Sequence, residues 1–235
     1  MEADLENKCL NWIDYWNQDS FWKDSPLWQI NARLFSKSAS RVMEFKKSDS
    51  VLDIGCGPGY VEAMLAPSVK SIYALDVAKQ FVDICSLRCR KHLNVRVGHL
   101  RKDDYANLEE YAGPFSIVLC VSVVQYYQDM GELEKLISSV RKIVSPGARM
   151  LIADLPLERK IWGFFWDALC SYFLSLREGY AGVLLRTAFA RWLEATDYKA
   201  FQDQTKQLYF TTEKLKLLIN RLGLKAKVIR GDFSV

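Results

Sequence analysis

The chain has 235 residues, of which 50% are hydrophobic and 26% are charged. This composition excludes a disordered or low-complexity protein, and the length suits one sizeable core. The net charge of +4 is spread along the chain. It therefore does not favour a protein that binds nucleic acid by neutralising phosphates, and we expect no nucleic-acid partner.

The chain begins with a helical region that is rich in aromatic residues. Residues 3–45 show aromatics at irregular helical spacing, and no basic or long apolar segment marks a signal peptide. The most apolar run, 161–176, is interrupted by Asp167 and is shorter than the roughly 20 residues of a membrane-spanning helix. The six cysteines form no Cys-x-x-Cys pair. We therefore predict reduced thiols in a cytoplasmic protein without a transmembrane segment.

Five apolar runs alternate with helical patterns between residues 50 and 153. Short buried runs that end in glycine or aspartate indicate strands of a parallel sheet with helices on both faces. We therefore predict a doubly wound, mostly parallel α/β sheet, whose strands all end at one ligand-binding edge. The predicted strands are Ser50–Ile54, Ser71–Leu75, Val95–Val97, Phe115–Val121 and Ala148–Ala153, and the helices between them are Val61–Ala66, Ala78–His92 and Gly131–Val144.

The pattern changes after Asp154. A turn at Ser145-Pro146-Gly147 precedes the fifth strand, and an aromatic helical insertion follows that strand. Thr211 or Thr212 caps a final helix that ends at Leu222-Gly223, and Ala226–Arg230 resembles a sixth strand. We predict one domain, divided into a helical cap (1–45), a ligand-binding core (48–155), a helical lid insertion (156–206) and a C-terminal helix and strand (207–235).

A glycine-rich loop follows the first strand. The sequence V-L-D-I-G-C-G-P-G-Y begins at Val51 and places glycines at positions 55, 57 and 59 before a helix. Such a loop lets a ligand approach the backbone closely, and the helix N-terminus offers N–H groups to a polar or anionic ligand. The dinucleotide fingerprint requires a glycine where this chain has Tyr60, and the lysine of a phosphate-binding P-loop is absent.

Asp53 stands two residues before the first glycine. The resulting D-x-G-x-G-x-G pattern resembles motif I of the class I S-adenosylmethionine-dependent methyltransferases. The resemblance covers residues 48 to about 155. It implies the Rossmann-like methyltransferase fold, with S-adenosylmethionine as methyl donor and S-adenosylhomocysteine as product.

The resemblance also implies a set of donor-binding residues. Asp76 ends the second strand, where a carboxylate can accept both ribose hydroxyls, although an exposed strand end or helix cap would also explain it. The family often has an aspartate after the glycine of the third strand, and this chain has His99 there. Either His99 or the backbone N–H of Leu100 would then contact the adenine. The implied donor-binding residues are Asp53, Gly55, Cys56, Gly57, Gly59, Tyr60, Asp76, Val77, His99, Leu100 and Ser122.

Tyr126 and Asp154 are the candidate catalytic residues. Methyl transfer depends mainly on holding the acceptor against the methyl carbon, and a base is required only when the acceptor arrives protonated. Tyr126 and Asp154 are acid–base or orienting candidates, against the alternatives of a core aromatic and of a turn residue before Pro156. Metal-assisted chemistry would need carboxylates after the fourth and fifth strands, and only Asp154 qualifies, so we predict no metal.

Two aromatic-rich segments, 11–28 and 161–180, are predicted to fold together as a lid over the strand ends. A lid of this kind excludes water and suits an apolar or aromatic small molecule. Ordinary core packing, and an interfacial membrane helix over 161–176, remain open as alternatives. The predicted acceptor-binding residues are Tyr15, Trp16, Trp22, Trp28, Gln125, Tyr126, Trp162 and Trp166.

The sequence therefore predicts a methyltransferase that acts on an oxygen or nitrogen atom of a small apolar or aromatic molecule, as a monomer or homodimer. One alternative is a methyltransferase acting on a protein or RNA, and another is a non-catalytic protein that binds the donor or a partner. The first alternative would use the basic residues Arg88, Arg90, Lys91, Arg96, Arg101 and Lys102.

Overall fold

A computed structural model of the chain describes residues 12–17, 26–101, 106–111, 113–155, 208–227 and 229. Two helices, α1 (Trp12–Asn17) and α2 (Pro26–Met43), precede the sheet. The sheet and its helices are β1 (Ser50–Ile54), α3 (Tyr60–Leu65), β2 (Ser71–Asp76), α4 (Lys79–Cys89), β3 (Val95–His99), β4 (Phe115–Val121), α5 (Met130–Ile143) and β5 (Val144–Ala153), followed by α6 (Thr212–Arg221).

The five strands form one parallel sheet in the order β3-β2-β1-β4-β5. The chain runs outward from β1 to β3, then returns to β4 on the other side of β1. The strand order therefore reverses between β1 and β4, which is where open α/β sheets bind ligands. This architecture confirms the predicted doubly wound fold.

Both faces of the sheet are buried, which explains why its central strands are apolar at successive positions. Val51 and Leu52 are neighbours on β1 and face opposite sides, yet neither is exposed to solvent. Val51 packs in a cluster with α3 and α4, which includes Leu65, Cys85 and Cys89. Leu52 packs in the other cluster with α5, which includes Leu133, Leu136 and Val140.

Polar side chains begin two of the helices. The Asp129 carboxylate accepts hydrogen bonds from the N–H groups of Gly131 (2.7 Å) and Glu132 (3.1 Å) at the start of α5. The Thr211 hydroxyl accepts from the Lys214 N–H at 3.1 Å at the start of α6, and Gly223 follows that helix with φ +61°. The predicted cap and end of the last helix are therefore confirmed.

Two sequence predictions about the sheet need correction. Ser145-Pro146-Gly147 lies inside β5, because Phe115 pairs with Val144 whereas Ile117 pairs with Arg149. The extra residues of β5 form a bulge, with Gly147 at φ +79°. The sixth strand expected over Ala226–Arg230 is also absent from residues 226, 227 and 229, the part of that range the structure describes.

Some predictions lie outside the described residues. They concern the helical insertion after Asp154, apart from residue 155, and the side chains of Trp22, Trp162 and Trp166. Trp28 lies on α2, but its side chain is not described. Within the described parts of the chain, no helix is long and apolar enough to cross a membrane.

Candidate functional site

The loop between β1 and α3 lies at the carboxyl edge of the sheet, beside the point where the strand order reverses. Gly55, Gly57 and Gly59 have φ angles of +81°, +53° and +81°, a region that L side chains rarely adopt. A Cβ atom on Gly55 would stand 2.2 Å from Cγ2 of Val123, which follows β4. Glycine is therefore required there both by the backbone conformation and by the close approach of the next strand.

The N–H groups of this loop are already used within the protein. Gly55 and Cys56 donate to the carbonyl oxygen of Leu75 at 2.7 and 3.0 Å. Gly57 donates to the Asp76 carboxylate at 2.9 Å, and Gly59 donates to the carbonyl oxygen of Cys56 at 3.3 Å. Because residue 58 is a proline, it has no N–H group. The N–H groups of residues 55–59 are therefore used internally, and binding of a polar or anionic ligand by the N-terminus of α3 stays a prediction.

Asp76 is a buried carboxylate whose two oxygens are each fixed by one backbone donor. Oδ2 accepts from the Gly57 N–H at 2.9 Å, and Oδ1 accepts from the Ala78 N–H at 2.8 Å. Burial raises the pKa of Asp76 to about 6, although the two N–H groups lower it. Each carboxylate oxygen keeps a further lone pair, so the group can still accept two hydroxyl donors.

Two more carboxyl groups are buried behind the loop. Asp53 is 4% exposed and Glu62 is 1% exposed. Oδ1 of Asp53 and both carboxyl oxygens of Glu62 have no hydrogen-bond partner among the described residues. Burial raises the pKa of both groups, and the nearby Asp53 raises that of Glu62 further. Glu62 was not among the predicted site residues, although its place three positions before the apolar Leu65, on the same helical face, was a usable signal.

The third strand reaches the same edge. His99 is the last residue of β3, and its Nε2 lies 2.9 Å from the carbonyl oxygen of Val77, so one side of its ring is engaged. The Leu100 N–H donates to the carbonyl oxygen of Asp76 at 2.8 Å. The predicted contact of this N–H with adenine is therefore wrong, because the pairing of β2 with β3 uses it.

Strands β4 and β5 end in two strained residues that contact each other. Ser122 has φ +56° and Asp154 has φ +59°, and neither is a glycine. The Ser122 hydroxyl donates to Oδ2 of Asp154, and the Ser122 N–H donates to the carbonyl oxygen of Ala153 at 3.2 Å. Left-handed backbone at residues other than glycine costs of order 1–3 kcal/mol and is concentrated at functional sites. Asp154 is exposed, so its carboxylate is open to a small molecule at this edge.

An aromatic cluster includes a residue of the segment that follows β4. The ring of Tyr126, four residues after Ser122, stacks on Trp12 with centroids 5.5 Å apart. Trp16 meets Tyr126 edge-on at 6.0 Å and Phe81 at 5.7 Å. All three pairs lie within the 4.5–7 Å range of attractive aromatic contacts.

Helix α1 is fixed over the edge by a polar contact that the sequence analysis missed. Oδ1 of Asn17 accepts a hydrogen bond at 2.9 Å from the N–H of Lys79, the first residue of α4. The contact places α1 across the start of α4, three residues after Asp76. No sequence signal within α1 identifies it, because the partner is 62 residues away.

The remaining candidate residues lie on several elements and are mostly buried. Tyr15 is buried on α1, and Gln125 is buried with its Oε1 lacking a hydrogen-bond partner in the described parts of the chain. Cys56 is buried in the loop. Tyr60 begins α3, where the Arg88 guanidinium lies 3.6 Å from the centre of its ring. Among the described residues, no cluster of His, Cys, Asp and Glu could hold a metal ion.

Residues 51–147 match the family model of a methyltransferase domain. The solved structure of a methyltransferase from Bacillus halodurans resembles this fold with a TM-score of 0.53 and 17% identity, over 80% of this chain and 68% of that one. This region is therefore similar to methyltransferase domains. The resemblance to the S-adenosylmethionine-dependent enzymes is therefore confirmed.

Two relatives are named ubiquinone biosynthesis O-methyltransferases. The protein from a Caulobacter species is 29% identical over 105 residues, which are 45% of this chain and 40% of that protein. The protein from Bartonella tribocorum is 22% identical over an alignment of 246 residues, covering 99% of this chain and 90% of that protein. This chain spans less than two thirds of the length of most of the curated relatives that it matches.

S-adenosylmethionine is the methyl donor of this family, and the chemistry of the edge fits it. The donor presents a ribose diol, a cationic sulfonium, and an amino-acid end that carries both an ammonium and a carboxylate group. The polar side chains at and behind the loop are the carboxyl groups of Asp76 and Asp53, while the N–H groups of residues 55–59 are used internally. A ligand of hydroxyls and positive charges therefore suits this edge better than a phosphate does.

We expect the affinity for S-adenosylmethionine to fall below pH 6. Asp76 has a pKa of about 6, so acid converts the carboxylate into a neutral acid that accepts hydroxyl hydrogen bonds more weakly. Affinity should rise with pH up to about 6 and then level off, with a slope of at most about tenfold per pH unit. Calorimetric titration between pH 5 and pH 8 measures this.

The matched control is Asp76→Asn, which binds more weakly but has no carboxyl group at this position to titrate. Its affinity should be flat between pH 5 and pH 6. A wild-type profile that is flat there, or a slope that persists in Asp76→Asn, would contradict the assignment.

Proposed function

We propose that the chain transfers a methyl group from S-adenosylmethionine to an oxygen or nitrogen atom of a small apolar or aromatic molecule. The observation that supports this proposal is that the segments following β4 and β5, which are neighbouring parallel strands, contribute a ring of an aromatic cluster and an exposed carboxylate. Trp12, Trp16 and Tyr126 form the cluster, and Ser122 and Asp154 lie at the ends of the two adjacent strands.

In this proposal, the loop and the ends of β1 to β3 bind the donor. Asp76 accepts the ribose hydroxyls, and Asp53 faces the ammonium group. The three glycines allow the close approach that a Cβ atom would block. Tyr60, Val77 and His99 border the same edge, and the half-engaged ring of His99 remains a candidate for the adenine contact. When bound, S-adenosylmethionine supplies a methyl group already activated on a sulfonium.

In this proposal, α1 and the segment after β4 bind the acceptor. Tryptophan and tyrosine rings present flat apolar surfaces that bind an aromatic or apolar molecule and exclude water from the edge. Because Asn17 fixes α1 to the start of α4, these rings stand close to the donor-binding residues. The relatives that are named O-methyltransferases support an oxygen atom as the acceptor.

Asp154 is the group that would take a proton from an acceptor hydroxyl. Its carboxylate is exposed, and the hydrogen bond from Ser122 orients it without neutralising it. Tyr126 orients the acceptor through its ring and hydroxyl group. Catalysis then depends on positioning, with proton removal by Asp154 where the acceptor is not already ionised.

The test is transfer of a labelled methyl group from S-adenosylmethionine to a panel of phenols, catechols, aromatic amines and aliphatic amines. We expect turnover of aromatic hydroxyl compounds. Asp154→Asn should lower kcat by roughly 100-fold or more, the usual range for a general base, while the donor Kd stays within threefold. The exposed Asp83 on α4 provides the matched control, since Asp83→Asn should change neither kcat nor the donor Kd.

Three outcomes would overturn parts of this proposal. Label that appears in protein or RNA but in no small molecule would favour a macromolecular substrate. Donor binding without any transfer would favour a non-catalytic protein. An unchanged kcat in Asp154→Asn would remove Asp154 from the proton transfer while leaving the acceptor class intact.

A further inference from the structure

Asp53 and Glu62 form a pair of carboxyl groups inside the protein. Asp53 is the fourth residue of β1, and Glu62 is the third residue of α3, which follows the glycine loop. The two side chains interact with each other, and both are more than nine-tenths buried. Three of their four carboxyl oxygens have no hydrogen-bond partner among the described residues.

No cation neutralises this pair within the described parts of the chain. No ion pair there involves either carboxyl group. The nearest described base to the loop, Arg88, is engaged with the Tyr60 ring and with the Pro58 carbonyl oxygen. Two ionised carboxylates that interact with each other out of water are strongly disfavoured. The pair must therefore hold a proton in the folded chain.

The surroundings decide which of the two groups keeps the proton. Asp53 gains a backbone hydrogen bond at Ile54 that favours its ionised form. Burial and the charge of Asp53 both raise the pKa of Glu62, and Cys89 on α4 raises it further. Three other titratable groups face the pair, namely Asp76 on β2, Cys56 in the loop and Cys120 on β4. Burial raises the pKa of each of them as well. The proton therefore belongs on Glu62.

We propose that Glu62 is a positioning residue, whose protonated carboxyl group donates a hydrogen bond to Asp53 and thereby keeps the Asp53 carboxylate ionised and aimed at the cationic end of the methyl donor. This inference rests on the proposed donor-binding function. It explains why an acid stands at a position of α3 where the neighbouring Leu65 and the strand beneath would suit an apolar side chain.

Three substitutions separate this role from its alternatives. Glu62→Gln keeps a hydrogen-bond donor of the same size and removes only the ability to ionise, so the Kd for S-adenosylmethionine should stay within threefold. Glu62→Leu removes the donor, so the Kd should weaken by about tenfold or more. Asp53→Asn should weaken it at least as much, and Glu62→Leu should add little to Asp53→Asn in the double variant, because both act on the same contact.

A second readout does not depend on donor binding. Infrared difference spectra of the free protein should show the C=O stretch of a protonated carboxyl group at pH 7.5. That band should disappear in Glu62→Gln and persist in Asp76→Asn. Circular dichroism and thermal melting show whether each variant is folded, and Glu62→Gln remains informative if Glu62→Leu does not fold.

The outcomes distinguish this inference from the proposed function. If wild-type protein with the infrared band does not bind S-adenosylmethionine, the proposed function fails and the proton assignment stands. If the donor binds but Glu62→Gln weakens the Kd as much as Glu62→Leu, Glu62 acts through its charge, and the positioning role is overturned. An unchanged Kd in a folded Glu62→Leu protein, or the absence of the band, also overturns it.

Discussion

Replacing Asp76 with alanine should weaken binding of S-adenosylmethionine by at least about 100-fold. The carboxylate is the buried group best placed to accept the ribose hydroxyls, and two charge-assisted hydrogen bonds are together worth about 3 kcal/mol or more. The substitution also releases the Gly57 and Ala78 N–H groups, which Asp76 holds at 2.9 and 2.8 Å. The substitution therefore removes the hydrogen bond that holds the loop at Gly57 as well as the expected contact with the ribose. Calorimetric titration with S-adenosylmethionine and S-adenosylhomocysteine measures the loss.

Two control variants make this result specific. Asp83→Ala removes an exposed carboxylate from α4, where it pairs with Lys79, and it should leave the Kd unchanged. Asp76→Asn keeps one acceptor oxygen and should bind with an intermediate Kd. If Asp76→Ala remains folded and binds as tightly as the wild type, the donor does not lie against the end of β2, and the proposed arrangement of the site is wrong.

The sheet could be predicted closely because its signals are local. The run Phe115–Val121 is apolar at successive positions and bounded by turn residues, and β4 has those same bounds. The third strand shows where local signals fail, since Gly98 indicates the end of a strand and yet lies inside β3. A Cβ atom there would stand 2.9 Å from a Leu75 methyl group, so this glycine reflects the close packing of β2 against β3.

The site was harder to predict because its polar contacts depend on register and packing between distant residues. The Leu100 N–H is used because Asp76 pairs with His99, and no local pattern reveals that register. Glu62 lies in the first turn of a helix, where an acid ordinarily stabilises the helix dipole at the surface. Only the position of α3 against β1 shows that this acid is buried beside Asp53.

The acidic side chains and the internally used N–H groups together restrict the ligands that this edge can bind. A phosphate-binding loop leaves N–H groups pointing at the ligand, whereas here Gly57 donates to Asp76 and Gly55 donates to Leu75. The missing lysine already argued against a phosphate-binding P-loop, and the internal hydrogen bonds of the glycines agree with that.

Replacing Gly59 with alanine should destabilise the protein far more than the same change at Gly147. The two glycines have nearly the same φ, +81° and +79°, so the conformational strain of alanine is similar at both. A Cβ atom on Gly59 would stand 2.6 Å from Sγ and 2.9 Å from Cα of Cys85, whereas on Gly147 it would meet no atom within 4 Å. We expect a loss of about 1 kcal/mol in the free energy of unfolding for Gly147→Ala, and of about 2–5 kcal/mol for Gly59→Ala.

Thermal melting measures the difference, which should appear as a fall in Tm of about 5–15 °C for Gly59→Ala and of about 2–4 °C for Gly147→Ala. The double variant Gly59→Ala with Cys85→Ala separates the two causes of strain. It removes the contact with Sγ but keeps the contact with the Cys85 Cα atom, so it should recover only part of the loss. Equal Tm values for the two single variants would show that α4 moves to make room for the Cβ atom of alanine at position 59. In that case the left-handed backbone, and not the packing of the loop against α4, would be what requires glycine at position 59.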